Sequence, residues 1–305
     1  MIEENNQQEN LQNFLKQNIT PLLCEENKHR RTFQSKFWLY FGILLFVNCA
    51  NILVVLFNHL INGKSFSWEQ LILLVFLSVA VLYFYVRSAK CKHLYILDEF
   101  VKFYGDWHNN NNQTAVVNAD FMPEHSEAIQ QFDITGNGGN LELQNLSLWD
   151  KNAKNKKRKI SSGLLISYKL PRNLNGMVVM FEKGGFFKQK KYKNLDKYQS
   201  SVPASNYFYT FSDSDAAKNY VICAALFENL LNLRDEFKAD KVYLEISQNR
   251  LHVFLQNGHF CYEPNYSMWK SAGTEKQLEQ THKQIEKMFN LIGVIESLTE
   301  AAINV

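Results

Sequence analysis

Few residues in this chain carry types and spacings suited to chemistry. Asp213 and Asp215 stand two apart in SDSD, a spacing that can chelate a divalent metal together with sugar-nucleotide phosphates. At what reads as a helix start, the same acids also serve as cap and first-turn charges. His252 and His259 flank a strand and its turn. An enzyme reading would work through Asp213, Asp215 or His252. Gly184–Gly185 in EKGGFFKQKK is a glycine turn or a backbone that approaches a phosphate. The eight histidines form no ligand pair at helical spacing, and GxxxxGK[ST], GxGxxG, HExxH, GxSxG and paired CxxC are all missing. No catalytic set or metal site emerges, and no cofactor is implied.

Charge is the second signal. Lys154, Lys156, Lys157, Arg158 and Lys159 place five basic residues in six positions. A second cluster, Lys188, Lys190, Lys191 and Lys193, has aromatic neighbours in FFKQKKYK. Residues 151–197 hold 14 Lys/Arg against two acids, whereas the rest of the chain holds 19 basic and 28 acidic residues. Such asymmetry speaks to surfaces and partners, not to fold. The basic run reads either as a solvated loop or as a contact with an anionic membrane surface, where each cation adds about 1 kcal/mol of attraction. Nucleic acid is not the expected partner, because the first run lacks interleaved stacking aromatics.

The elements that position these residues begin with two apolar runs. Phe37–Phe57 is 21 residues without a charge, and Leu71–Val86 is 16. About 20 residues cross a bilayer core, so the runs predict a two-helix transmembrane hairpin over 37–87. Trp38, Tyr40, Trp68, Tyr83 and Tyr85 sit near the run ends, where amphipathic rings favour the interface. The first run lies too deep in the chain, and is too long, for a signal peptide. Lys28, Arg30, Arg31 and Lys36 precede it, Lys64 alone lies between the runs, and Arg87, Lys90 and Lys92 follow the second. That bias places both termini in the cytoplasm. Asn48, Asn51 and Ser78 are the mid-span polar residues, expected to hydrogen-bond within the hairpin or across a homo-oligomer. The five cysteines, 24, 49, 91, 223 and 261, read as reduced structural thiols.

Residues 1–36 read as a helical cytoplasmic segment, and 88–113 as a membrane-exit helix with an asparagine-rich linker. Residues 114–305 read as a cytoplasmic α+β domain, a mixed antiparallel sheet with packed helices. GNGGNLELQNLSLWD is a glycine turn followed by alternating leucines. GLLISYKLP and MVVMF are strands joined by RNLNG as a hairpin-like connection. YFYTF is aromatic strand material. SDSDAAKNYVICAALFENLLNLRDEF is a helix capped by Ser212 or Asp213, with Val221, Ala224, Ala225, Phe227, Leu230 and Leu231 on its apolar face. KVYLEISQNRLHVFLQ is a hairpin turning at Gln248–Arg250. TEKQLEQTHKQIEKMFNLIGVIESL is a long amphipathic helix with Leu278, Ile285, Met288, Phe289, Ile292 and Ile295 in one stripe.

This layout resembles the bacterial domain-of-unknown-function family 3137 over about residues 10–300. The resemblance rests on the basic stretch entering Ile160–Gly163–Leu165, on Pro171 and Gly176 in the next connection, and on Tyr209, Ser212 and Asp213. It departs at Leu164–Leu165, where the family usually has aromatics, and over 109–140. It implies a membrane-anchored cytoplasmic domain and no mechanism. The expected protein is a bacterial inner-membrane scaffold that docks a protein partner or the lipid surface. An enzyme acting on an envelope substrate, or a secreted effector inserted in a host membrane, are the alternatives.

Overall fold

A computed structural model of the chain describes residues 9–62, 68–88, 94–109, 127–136, 138–151, 157–184, 195–198, 202–213, 223–262 and 268–303. The chain divides into two compact units. One is Met1–Glu99 with Pro264–Thr274, and the other is Phe100–Glu263 with Glu275–Val305.

The first unit is built on helix α1 (Thr20–Asn62) and helix α2 (Trp68–Ser88). A wide turn, Leu15–Ile19, leads into α1, and the Thr20 N–H bonds back to the Leu15 carbonyl. Pro21 explains the widening. It brings no N–H, and its ring crowds the carbonyl four residues back, so the turn opens by one residue to accommodate it. The continuous helix Glu9–Phe57 contains an 18-residue window of mean hydropathy 2.3, of which 0% is buried. The second apolar helix, Ile72–Val86, is shorter. Among the described residues, one helix is therefore long and apolar enough to cross a membrane.

The second unit is α+β with a seven-stranded antiparallel sheet. Its strands are β1 (His108–Asn109), β2 (Glu127–Gly136), β3 (Leu141–Lys151), β4 (Lys157–Glu182), β5 (Asp196–Tyr198), β6 (Phe208–Ser212) and β7 (Lys241–Gln256). Helix α3 is Leu94–Val101. Helices α4 (Ala224–Glu236) and α5 (Glu275–Ile303) belong to the second. Strand β4 is the organiser. One of its edges pairs with β7 from Gly163 to Phe181, and the other is shared by β3 along its first half and β6 along its last five residues.

Both expected hairpins are thus single long strands that pair with each other. RNLNG is not a turn between strands. It is a bulge, where β4 takes eight steps from Lys169 to Met177 while β7 takes three from Arg250 to Ser247. A bulge tolerates Pro171, which can donate no ladder hydrogen bond. Nor is Gln248–Arg250 a turn. Val242, Leu244 and Ile246 alternate in one phase and Leu251, Val253 and Leu255 in the other, and all six are buried. A hairpin would shift the phase, but so does one residue at positive φ inside a strand, and Gln248 has φ 54°.

The bulge lets β4 fold over its own core. Leu146, Leu148, Leu165 and Phe254, from one half of the ladder, cluster with Val179, Phe181, Phe211 and Tyr243 from the other. All eight are strand residues, so the sheet supplies both walls. Gly163 permits the close approach of β4 to its neighbour β7, since a Cβ there would overlap the Leu255 carbonyl oxygen.

Two helix stripes also differ from expectation. In α4 the buried residues are Leu226, Phe227, Leu230 and Leu233, while Ala224 and Ala225 are exposed. Ser212 ends β6, and the described part of this helix starts at Ala224 after Cys223, so the expected helix start after Ser212 and Asp213 lies outside the described residues. Val221 lies outside the described residues. In α5 Leu278, Ile285, Met288, Leu291, Ile292 and Ile295 are buried, but Phe289 is 37% exposed and touches Trp107 from the rim.

Candidate functional site

Three neighbouring strands place polar residues in register. One rung is Glu142, Ser167 and His252, and the next two pair Gln144 with Leu165 and Lys169 with Arg250. Side chains at i and i+2 share a face, so these residues line one face of the sheet. They bound a shallow cleft of about 110 Å³, closed at one end by the Gly139–Asn140 turn. Beyond Leu165 the same face becomes apolar, with Leu146, Leu148 and Phe254. The cleft is the polar end of a face whose other end is core.

Ser167 Oγ and His252 Nδ1 lie 3.0 Å apart. His252 is buried, and Ser167 half-buried. A serine beside an imidazole suggests nucleophilic chemistry, but Glu142 of the same rung does not complete it. An acyl-transfer triad needs its acid behind the imidazole, on the side away from the serine. Glu142 stands on the far side of Ser167, two strand spacings from β7. The cleft is lined mainly by polar side chains. Lys169 and Arg250, both exposed, give its rim positive charge.

The other candidate residues lie apart from it. Asp213 Oδ1 accepts the Met177 N–H at 2.6 Å, which ties the end of the β4 bulge to the end of β6. Among the described residues it joins no metal set, since no group of three or more His, Cys, Asp and Glu is found there, and the helix start that it is expected to cap lies outside the described residues. Asp215 falls outside the described residues. Glu182 is a buried carboxylate that resembles a functional acid, yet it accepts from Arg234 Nη1 at 2.8 Å, from Lys241 Nζ at 3.3 Å and from the Val242 N–H. That arrangement secures the end of β4.

The basic stretch is only partly a loop. Lys157, Arg158 and Lys159 open β4, opposite Lys151, Asp150 and Trp149. The Arg158 and Lys159 side chains are exposed. Lys154, Lys156, Lys188, Lys190, Lys191 and Lys193 lie outside the described residues.

Within the first unit Asn48 Nδ2 donates to Ser78 Oγ at 2.9 Å, joining α1 to α2. Asn51 turns back on its own helix and donates to the Val47 carbonyl. A feature the sequence reading missed lies on α1. Asn27, Arg30 and Gln34 stand at i, i+3 and i+7, one helix face, and all three bind the backbone of Met268–Ala272. Arg30 is fixed by a buried ion pair with Glu26 at 2.9 Å. The polar stripe is visible in the sequence, but its partner, more than two hundred positions away, is not.

A second missed cluster joins Tyr104 to α5. The Tyr104 hydroxyl lies 2.6 Å from His282 Nδ1, and His282 Nε2 lies 3.2 Å from Glu286 Oε1. A carboxylate only accepts, so Nε2 carries the proton and Nδ1 accepts from the tyrosine. Burial lowers the His282 pKa, and the Glu286 charge opposes that shift. Burial, then the Glu286 charge, raises that of Tyr104.

Residues 159–298 match the family model described as "Protein of unknown function (DUF3137)". The match runs from the first turns of the β4 ladder to the last turns of α5, so it covers the β4–β7 ribbon and both domain helices. No curated protein and no solved structure matches the chain.

Proposed function

We propose, for a chain whose residues 159–298 belong to the DUF3137 family, that it is a membrane-anchored docking protein without a reaction of its own. In this reading α1 and α2 cross a bacterial inner membrane as a hairpin with both ends in the cytoplasm. The α+β unit works at the cytoplasmic surface, where its basic segments meet anionic headgroups or a protein partner.

One observation carries the anchoring. An apolar helix of a soluble core is covered by protein, whereas the most apolar window of α1 is 0% buried. Phe46, Leu53 and Phe57 are each more than 60% exposed. Apolar surface of that extent needs an apolar solvent. The Lys/Arg bias of the flanks supports the orientation, and the surplus of cations in 151–197 supports the surface contact.

The test is full-length protein in nanodiscs of zwitterionic or anionic lipid, read by amide exchange. Protection at Arg158–Lys159 should rise with anionic content and fall with salt. Reversing the charges at Lys156–Lys159 should abolish the dependence. Protection indifferent to lipid charge would remove the lipid-docking part.

A further inference from the structure

Met268–Gly273, between β7 and α5 in sequence, belongs to the first unit with α1. It is held there by its backbone. Arg30 Nη1 donates to the Lys270 carbonyl at 2.7 Å, and Gln34 Nε2 to the Met268 carbonyl at 2.8 Å. The Ala272 N–H donates to Asn27 Oδ1 at 2.9 Å, and the Ser271 hydroxyl to the same oxygen at 3.1 Å. This binding does not depend on the side chain at 269, which is left to point elsewhere.

Trp269 turns to the apolar side. Its ring meets Phe37 edge-on at 4.7 Å, Phe33 at 5.7 Å and Trp38 at 6.4 Å. Phe37 is the first residue of the 21-residue uncharged run, so the indole stands at the polar–apolar boundary of α1. Tyr85, near the end of the apolar part of α2, stacks on Phe33 at 5.0 Å and meets Tyr40 at 5.4 Å. Three separate stretches of chain thus bring Trp38, Tyr40, Tyr85 and Trp269 to one level. Towards the N-terminus of α1 lie the polar Asn27 and Arg30, and towards its C-terminus the exposed Phe46. Trp269 remains 42% exposed despite its ring contacts.

We infer that Met268–Gly273 is a membrane-interface strap, with the Trp269 indole seated among the headgroups of the leaflet that α1 enters. The inference rests on the membrane reading above and adds to it an anchor that does not cross the bilayer. The occupant follows from continuity. The exposed indole adjoins the exposed apolar surface of α1, and the headgroup layer is where an amphipathic ring finds both an apolar bed and polar partners. Lys270, exposed beside it, suits an anionic headgroup.

The test uses the full chain in vesicles whose lipids carry bromine either near the headgroup or near the chain end. The Trp269 signal is the difference in emission between wild type and Trp269→Phe, which keeps a ring on Phe37. A Phe46→Trp probe in the Trp269→Phe background reports whether α1 is in the bilayer. The expected result is loss of the Trp269 emission with shallow bromine, less loss with deep bromine, and loss of the Phe46→Trp emission with deep bromine. If Phe46→Trp is quenched while Trp269 answers only to aqueous acrylamide, the strap inference fails and the anchor stands. If Trp269 emission ignores brominated lipid and varies with protein density, a second copy covers it and the inference also fails. If Phe46→Trp is not quenched, the membrane reading falls and the strap with it.

Discussion

Arg30 and Lys270, 240 positions apart, are joined by one hydrogen bond of 2.7 Å from guanidinium to backbone carbonyl. The same guanidinium answers the Glu26 carboxylate, and both side chains are nearly fully buried. Removing the cation therefore does two things. It strands a buried carboxylate, at a cost of about 3–5 kcal/mol, and it frees the strap. Arg30→Ala should lower stability by that order and expose the Ala272 amide to exchange. Gln34→Ala, which removes a single bond, should cost about 1 kcal/mol. Unchanged protection of the Ala272 amide in Arg30→Ala would contradict this account.

Gly163 and Gly293 predict opposite responses to one methyl group. At Gly163 a Cβ would meet the Leu255 carbonyl oxygen, an atom fixed in the β4–β7 ladder. Gly163→Ala should destabilise by about 1–3 kcal/mol or more. At Gly293, inside α5, a Cβ meets nothing within 4 Å. Gly293→Ala should stabilise by about 0.5–1 kcal/mol, because alanine loses less backbone freedom in a helix. Denaturant midpoints of the two variants decide the matter. A stabilised Gly163→Ala would mean that the two strands are not in this register.

His282 sets an acid limb. Its pKa is lowered in the folded chain, chiefly by burial. Its contribution is fully present above the ordinary value of 6.5 and is lost as the pH falls from there through the folded pKa, because the unfolded chain takes up the proton first. Melting temperature should fall as buffers are taken below pH 6.5, and His282→Gln should flatten that fall. An acid limb unaltered by His282→Gln would place the titration elsewhere.

Tyr168 sets an alkaline one. Its hydroxyl donates to Glu296 Oε1 at 2.7 Å. Burial first, then that hydrogen bond, then the Glu296 charge raise its pKa from 10.0 to about 12. The folded chain holds this proton more tightly, so the contribution is present below pH 10 and is lost as the pH rises towards 12. In a near-ultraviolet titration, the difference between wild type and Tyr168→Phe should ionise near pH 12, and Glu296→Gln should bring it down. A Tyr168 signal at the ordinary pH in wild type would show that the helix does not hold the hydroxyl.

Much of the second unit is legible in local pattern. The α5 stripe is spaced for a helix, and five of its six expected members are buried, Phe289 excepted. The leucines of β3 show more than one face. Leu141 and Leu143 fall in one phase and Leu146 and Leu148 in the other, and all four are fully buried. That shift marks a strand buried on both sides, which is why Glu142 and Gln144 end in a cleft at the edge of a core. The cleft itself could not be read, because Glu142, Ser167 and His252 meet only through the register of three strands.

The amino-acid sequence by itself determined the apolar run of α1, because transfer from water depends on composition summed along one helix and needs no partner. It also determined the phases of β7, because the branched apolar residues recur at every second position of a strand. Only the tertiary structure decided that these phases belong to one strand. A turn and a single positive-φ residue leave the same imprint on the pattern, and the difference lies in pairing with β4. It likewise decided that Met268–Ala272 rests on Asn27, Arg30 and Gln34. Backbone amides and carbonyls are the same at every residue, so nothing local marks the ones that a distant helix will bind.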